Sequence, residues 1–310
     1  MTSVVRVVSF GLGPIGIAAA RLALQKKTVQ LVGAIDVDPQ KIGKDLGELL
    51  ELGQPLGMKV DGDAESALKR IRPHAILHCT SSFLPQVKDQ LLLATRCSVN
   101  VVSSCEELLW PELQYPDLAR VLHSAARDSG VTILGTGVNP GFAMDYIATI
   151  ASAATLDVTG VRCVRVVDAG TRRLPLQQKV GAGLTRAEFD QQMATGRFGH
   201  VGMRESVALL ARALAFEVDK IEQVVEPVLA TAELKTPFLS VKKGQVAGIR
   251  NHGYGRKGDQ TPIHLDLSMF VGAPDPRDEV ILDSTPPIHL KFEGGIAGDQ
   301  ATAAILLNTL

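Results

Sequence analysis

A chain of 310 residues, 45% hydrophobic and 21% charged, has ordinary globular composition and enough length for two cores. A formal net charge of −1 supplies no field to gather nucleic acid or anionic lipid, and neither is expected as a partner. The four cysteines (Cys79, Cys97, Cys105 and Cys163) show no CxxC or other metal-ligand spacing, so the expectation is reduced thiols in a cytoplasmic protein, with no disulfide framework and no metal.

Val4 to Phe10 reads as a buried strand; it runs into glycines and is too short for a signal peptide or a membrane span. A helix follows over Ile15 to Leu24, then a second strand over Val29 to Ile35. A helix over Ala64 to Ile71 precedes a strand at Ala75 to Cys79. Further strands are predicted at Ser98 to Val102 and Gly130 to Leu134. Strands alternating with helices imply right-handed crossovers and a parallel sheet.

Past Asp145 the pattern changes. Val161 to Val167 alternates polar with apolar residues, as a half-exposed antiparallel strand does. A helix is predicted over Met203 to Ala215, with strands at Glu222 to Leu229, Val246 to Arg250, Pro262 to Phe270 and Ile288 to Phe292. The expected class is α/β: a Rossmann-type, doubly wound parallel sheet over residues 1–145, then an α+β domain with an open mixed sheet over residues 146–297. The last stretch, 298–310, reads as a helix packing back on the first domain.

Gly11-Leu12-Gly13-Pro14-Ile15-Gly16 places GxGxxG directly after a strand and at the opening of a helix. Gly11 permits a tight turn, Gly13 lets a pyrophosphate approach the backbone, and Gly16 allows close helix–sheet packing. Pro14 and Ile15 open the helix whose free amides face the phosphates. Twenty residues past Gly16 the second strand ends at Asp36, where an acid accepts from ribose hydroxyls. Together these predict a nicotinamide dinucleotide. Asp36 favours NAD, while Lys41 and Lys44 nearby keep NADP open.

Ligands of such sheets bind at the carboxyl ends of the strands. Thr80 and Ser81 follow one strand and suit the nicotinamide side of the site; the alternative is a plain helix cap. Glu106 and Glu107 follow the next. A carboxylate there can hold an ammonium group or move protons at a developing imine. Ser103 with Glu106, or Ser104 with Glu107, also matches the S-x-x-E capping box, so one acid is expected to cap and the other to act, with Glu106 favoured. Asn139 follows the last strand and suits the nicotinamide carboxamide, or else stabilises a rigid turn. Val138, Pro140 and Phe142 in the same segment are expected at the substrate. In the second domain Gln177 and Lys179 are candidates for substrate contacts, although such residues are more often solvated. His200 joins them, although a satisfied loop histidine is the commoner fate. Thr185 and Glu188 form a capping box of structural use.

Several segments, in order, resemble the 2,4-diaminopentanoate dehydrogenases and native amine dehydrogenases, within a superfamily having a dihydrodipicolinate-reductase-like N-terminal domain. They are Gly11 to Gly16, Ser104-Cys105-Glu106-Glu107-Leu108, Gly137 to Phe142, Arg173 to Gln177 with Lys179 to Gly181, Gly199 to Gly202, and Gly294 to Asp299. The resemblance implies reversible oxidative deamination of an amine or diamino acid to a ketone and ammonia with NAD(P), assisted by a glutamate that is Glu106 or Glu107. It also implies a homodimer formed through the sheet of the second domain. Two alternatives stand beside it. Dihydrodipicolinate-reductase-like imine or carbonyl reduction is weakened by the lack of any adjacent histidine pair. A non-catalytic NAD(P)-binding sensor would have no need of the acids after Val102.

Overall fold

The computed structural model describes residues 4–196 and 198–310. The chain forms two units, one of residues 1–141 with 297–310, the other of residues 142–296.

The first unit contains β1 (Val5–Phe10), α1 (Pro14–Ala23), β2 (Val29–Ile35), α2 (Leu46–Leu49), β3 (Val60–Asp61), α3 (Ala64–Ile71), β4 (Ala75–His78), α4 (Leu84–Arg96), β5 (Asn100–Ser103), α5 (Pro116–Asp128) and β6 (Ile133–Gly135). The six strands pair in parallel in the order β3-β2-β1-β4-β5-β6. This is the doubly wound Rossmann arrangement, whose strand order reverses between β1 and β4. Continuous runs such as Val7, Val8 and Phe10, or Ile76 and Leu77, are buried because helices cover both faces. α3 shows how local signals set an element: Asp63 caps its start by accepting from the Ser66 amide, and the left-handed Arg72 ends it.

The second unit holds α6 (Tyr146–Ala151), β7 (Leu156–Asp168), α7 (Leu174–Lys179), α8 (Arg186–Ala194), α9 (Met203–Ala213), β8 (Lys220–Leu229), β9 (Leu234–Lys235), β10 (Ser240–Val241), β11 (Val246–Lys257), β12 (Gln260–Phe270), β13 (Arg277–Thr285) and β14 (Ile288–Glu293). Its main sheet is mixed, in the order β14-β13-β7-β12-β11-β8. β7 is not the simple antiparallel strand its alternation implies: it pairs parallel with β12 and antiparallel with β13. Arg165 on this strand is buried, matched by Asp278 of β13 at 2.6 Å. Arg165 also donates to the Ile296 carbonyl at 2.8 Å, and Asp278 accepts from the Ile296 amide at 2.7 Å. α9 covers one face of the sheet, where a methyl group at Gly253 would lie 2.7 Å from Met203. The other face carries charged side chains of both signs.

The final helix, α10 (Gly298–Asn308), belongs to the first unit. Ala303, Leu306 and Leu307 are buried in one cluster with Ala19, Ala20 and Ala23 of α1 and Val7 of β1. Each buried leucine contributes about 1.5–3 kcal/mol of apolar burial. Lys26 closes the end of α10, donating to the Leu307 carbonyl at 2.8 Å and to Asn308 at 2.7 Å. Among the described residues no helix is long and apolar enough to cross a membrane.

Candidate active site

Pairing puts five strand ends of the first unit in one row. Phe10 lies opposite both Ile35 and His78, His78 opposite Ser103, and Ser103 opposite Gly135. The next residues continue the ladder: the amides of Gly11, Cys79, Ser104 and Thr136 donate to Ile35, Phe10, His78 and Ser103 at 2.8, 2.8, 3.0 and 2.8 Å. Asp36, Gly11, Thr80, Glu106 and Asn139 therefore all leave the sheet at its carboxyl edge, where open α/β sheets bind ligands.

The three glycines are required for different reasons. Gly11 has φ +91°, and a methyl there would lie 2.5 Å from the Cys79 carbonyl oxygen and 2.8 Å from the Thr80 methyl. A methyl at Gly16 would overlap the Gly11 carbonyl oxygen, so the helix can approach the turn only as glycine. At Gly13 nothing among the described residues lies within 4 Å of such a methyl, so that side of the turn is open. Gly13 is the N-cap of α1, Pro14 starts the helix, and no side chain caps it. The amides of Ile15 and Gly16 thus have no acceptor within the helix and lie at the positive end of its dipole. These features fit a dinucleotide phosphate.

Asp36 lies at the other end of this loop. Its carboxylate accepts from the Leu12 amide at 2.7 Å and the Asp38 amide at 2.9 Å, and Lys41 stands 3.4 Å away. Burial by itself would raise this carboxyl, but the two amides and Lys41 outweigh it and hold the group below the usual carboxylate range. It is ionised at neutral pH and still has lone pairs to accept ribose hydroxyls.

The two glutamates are not equivalent. Glu107 is buried; its carboxylate accepts from the Leu84 amide at 2.7 Å and from the Tyr115 hydroxyl at 3.4 Å. It supplies the acceptor that Phe83, the N-cap of α4, does not. Cys105 precedes the 3₁₀ turn Glu106–Leu109 without a side-chain cap, and the Ser103 hydroxyl lies against the Cys105 amide and His78. Glu106 opens that turn half-buried.

His78, which the sequence marks only as part of a strand, organises this edge. It is fully buried, with Nδ1 2.8 Å from Ser103 Oγ and Nε2 2.8 Å from Gln90 Oε1 and 3.0 Å from Thr80 Oγ1. Burial lowers it to about 4, so the ring is neutral. Ser81 is engaged in the same turn, donating to Gln86 at 2.6 Å and accepting from the Phe83 amide. Burial also pushes the Cys79 and Cys105 thiols up to about 12, which removes both as nucleophiles at neutral pH.

In the turn after β6, Val138 and Pro140 are buried and Asn139 is half-buried. The Val138 amide donates to Thr302 of α10 at 3.2 Å. Phe142 begins the second unit and accepts from the Ile147 amide. Within that unit Gln177 does not fit a substrate contact: it is fully buried, donates to the Arg172 carbonyl at 2.7 Å and accepts from Thr236 at 3.0 Å. It holds its own loop instead. Lys179 is exposed at the end of α7. Near it His200 has a buried Nε2 with no hydrogen-bond partner among the described residues. Burial first, then the charges of Lys179 and Arg165, lower this imidazole to about 3. His200 is therefore not the satisfied loop histidine that sequence favours.

The family model described as the 2,4-diaminopentanoate dehydrogenase C-terminal domain matches residues 142–310. The chain belongs to the 2,4-diaminopentanoate dehydrogenase family. The 2,4-diaminopentanoate dehydrogenase of Acetoanaerobium sticklandii is 29% identical over 320 residues, covering 99% of this chain and 88% of that protein. An amine dehydrogenase of Streptomyces virginiae is 27% identical over 226 residues, 70% of this chain and 61% of that one. The solved structure of an amine dehydrogenase from Mycobacterium smegmatis has a TM-score of 0.85 at 26% identity, over 98% of this chain and 90% of its own. These relatives place the chain among the amine-dehydrogenase oxidoreductases and set the non-catalytic sensor aside.

Proposed function

We propose that this chain interconverts a small amine or diamino acid with its ketone and ammonia, using NAD or NADP, and that Glu106 is the carboxylate that handles the proton. The observation that carries the assignment of Glu106 is the commitment of its neighbour: Glu107 is buried against the Leu84 amide, while Glu106 stands at the carboxyl edge of the sheet. When bound, the nicotinamide accepts or delivers a hydride at carbon. Gly11, Gly13, Gly16 and the first amides of α1 hold the pyrophosphate, Asp36 takes the ribose hydroxyls, and Thr80, Ser81 and Asn139 border the nicotinamide. Val138, Pro140, Phe142, Lys179 and His200 remain the residues assigned to the substrate.

In the oxidative direction a substrate ammonium has no lone pair with which to form an imine. Glu106 accepts its proton, leaving a neutral amine, passes that proton to solvent, and as a carboxylate again takes a proton from the water that adds to the iminium carbon. In the reductive direction the same carboxylate orients ammonia. Such assistance is worth about 10²–10⁴-fold in rate. The test is Glu106→Gln, assayed with a panel of ketones and diamino acids, ammonia and both nicotinamides. A loss of about 10²-fold or more in kcat with unchanged NADH affinity is expected. Full activity in that variant would rule out this role.

The carboxylate at Asp36 favours NAD over a 2′-phosphate. Lys41 beside it moderates that preference. We infer a homodimer through the exposed face of the second sheet. There Arg162, Arg250 and Arg277 alternate with Asp266 and Glu279, a self-complementary pattern for a two-fold partner. Light scattering that reports a monomer at micromolar concentration would overturn this. The four free cysteines support a cytoplasmic setting.

A further inference from the structure

On that same sheet face, three side chains converge that the proposed chemistry does not use. His252 of β11 lies directly opposite Asp266 of β12, and His264 lies opposite Tyr254, two residues further along the same pair of strands. The alternation of each strand sends all three side chains to one face. One ligand-type atom from each lies within 4.8 Å of the other two.

We propose that His252, His264 and Asp266 form a binding site for a late first-row divalent cation of the zinc, cobalt and nickel class.

Three observations carry this. His252 Nδ1 and His264 Nε2 are both buried and both lack a hydrogen-bond partner among the described residues. An unpaired buried polar atom is costly, and two within reach of each other share one remedy, a common electrophile. The carboxylate is also divided. Asp266 Oδ2 faces Arg162 at 3.9 Å, while Oδ1 faces His252 Nδ1 at 3.9 Å. One oxygen is thus held by an outer arginine and the other turned to the histidines, as carboxylate ligands are usually oriented by a second partner.

The rings are also fixed in place. Tyr254 stacks on His264 at 4.9 Å and on His252 at 6.0 Å, and Arg256 lies 4.8 Å over the Tyr254 ring. Two imidazoles and one carboxylate suit zinc-class ions over calcium or magnesium. Bonds of about 2 Å put tetrahedral ligands about 3.3 Å apart, so side-chain rotations that shorten the longest separation by about 1.5 Å complete the set. Three protein ligands leave a position open to water or to a donor from a second copy.

Sequence does not reveal this site because the ligands come from two paired strands, with no short motif such as CxxC. The test uses the intact chain stripped with chelator, titrated with Co²⁺ and followed by visible absorption, with Zn²⁺ as competitor. One equivalent of Co²⁺ per chain should give ligand-field bands that Zn²⁺ abolishes. His252→Gln, His264→Gln and Asp266→Asn should each weaken binding at least tenfold, on the order of the loss from disturbing a metal site. His289→Gln, on the same face but paired with Glu279, should bind as the parent does. Thermal melting of each variant in chelator separates loss of the site from loss of fold. Absence of the bands in the parent, or their persistence in both folded histidine variants, overturns the proposal.

Discussion

Replacing Gly13 and Gly16 by alanine in turn separates binding from folding at the dinucleotide turn. At Gly13 the backbone is extended, with φ −69° and ψ −178°, so alanine adopts it without strain. Among the described residues no atom lies within 4 Å of the added methyl. The slightly poorer N-cap is offset by the smaller entropy of the unfolded chain, each about 0.5–1 kcal/mol, so stability changes little. The methyl does, however, fill the approach of a phosphate to the amides at the start of α1. Losing one charge-assisted hydrogen bond there, worth about 1.5–3 kcal/mol, weakens NADH about 10–10²-fold. At Gly16 the added methyl would overlap the Gly11 carbonyl oxygen and lie 2.9 Å from its carbon, both backbone atoms that cannot rotate away. Overpacking of this kind costs about 1–3 kcal/mol, or about 3–10 °C in Tm for a unit of this size. Thermal melting and calorimetric titration with NADH on both variants decide the matter. A Gly13→Ala protein that binds NADH as the parent does would refute the assignment of the open side to the pyrophosphate. A Gly16→Ala protein of unchanged Tm would refute the packing argument.

Four further outcomes follow from the same geometry. Glu107→Ala removes the acceptor of the buried Leu84 amide and should cost about 1–3 kcal/mol, read as a lower Tm, with activity per folded molecule retained. Asp36→Ala should weaken NAD by at least about tenfold more than NADP, measured as a ratio of Kd values, since a single charged hydrogen bond is worth that much. His78 is lowered from 6.5 to about 4 by burial, so between those values the unfolded chain takes a proton that the folded chain refuses. Stability should therefore decline as pH falls through this window, by about 3 kcal/mol in all, and urea midpoints of His78→Gln should lack that part of the decline. Asp278→Ala strands the buried Arg165 charge and should cost about 3–5 kcal/mol in urea unfolding; a cost under 1 kcal/mol would show the pair to be dispensable.

The first unit was largely legible because its signals are local. Apolar runs bounded by glycine and the GxGxxG–Asp36 spacing need no knowledge of tertiary contacts. β13 was not legible. Its inward position Asp278 is charged and Asp275-Pro276-Arg277 precedes it, so the run reads as a loop; only the match with Arg165, 113 residues away, makes that residue an interior one. The alternation of β7 misled for the same reason, since it places a buried arginine where a strand facing water would show a solvated one. The pair Glu106 and Glu107 shows a third kind of limit. Both fit a capping spacing within the segment, but the helix that Glu107 caps begins at Leu84, 23 residues earlier, and sequence spacing carries no record of it. His78 is not legible because a lone histidine in an apolar strand looks like any other core residue. Its four-member hydrogen-bond set draws on two strands and a helix.

The placement of α10 has a consequence for synthesis. Residues 298–308 complete the apolar cluster that contains β1 and α1, yet they leave the ribosome only after the whole of 142–296. The nascent dinucleotide unit must therefore wait, with Val7, Ala19 and Ala23 lacking their last covering layer, while the later unit is free to fold first. Order of emergence and order of completion are reversed, so an interrupted translation product would carry a finished second unit and an unsealed first one.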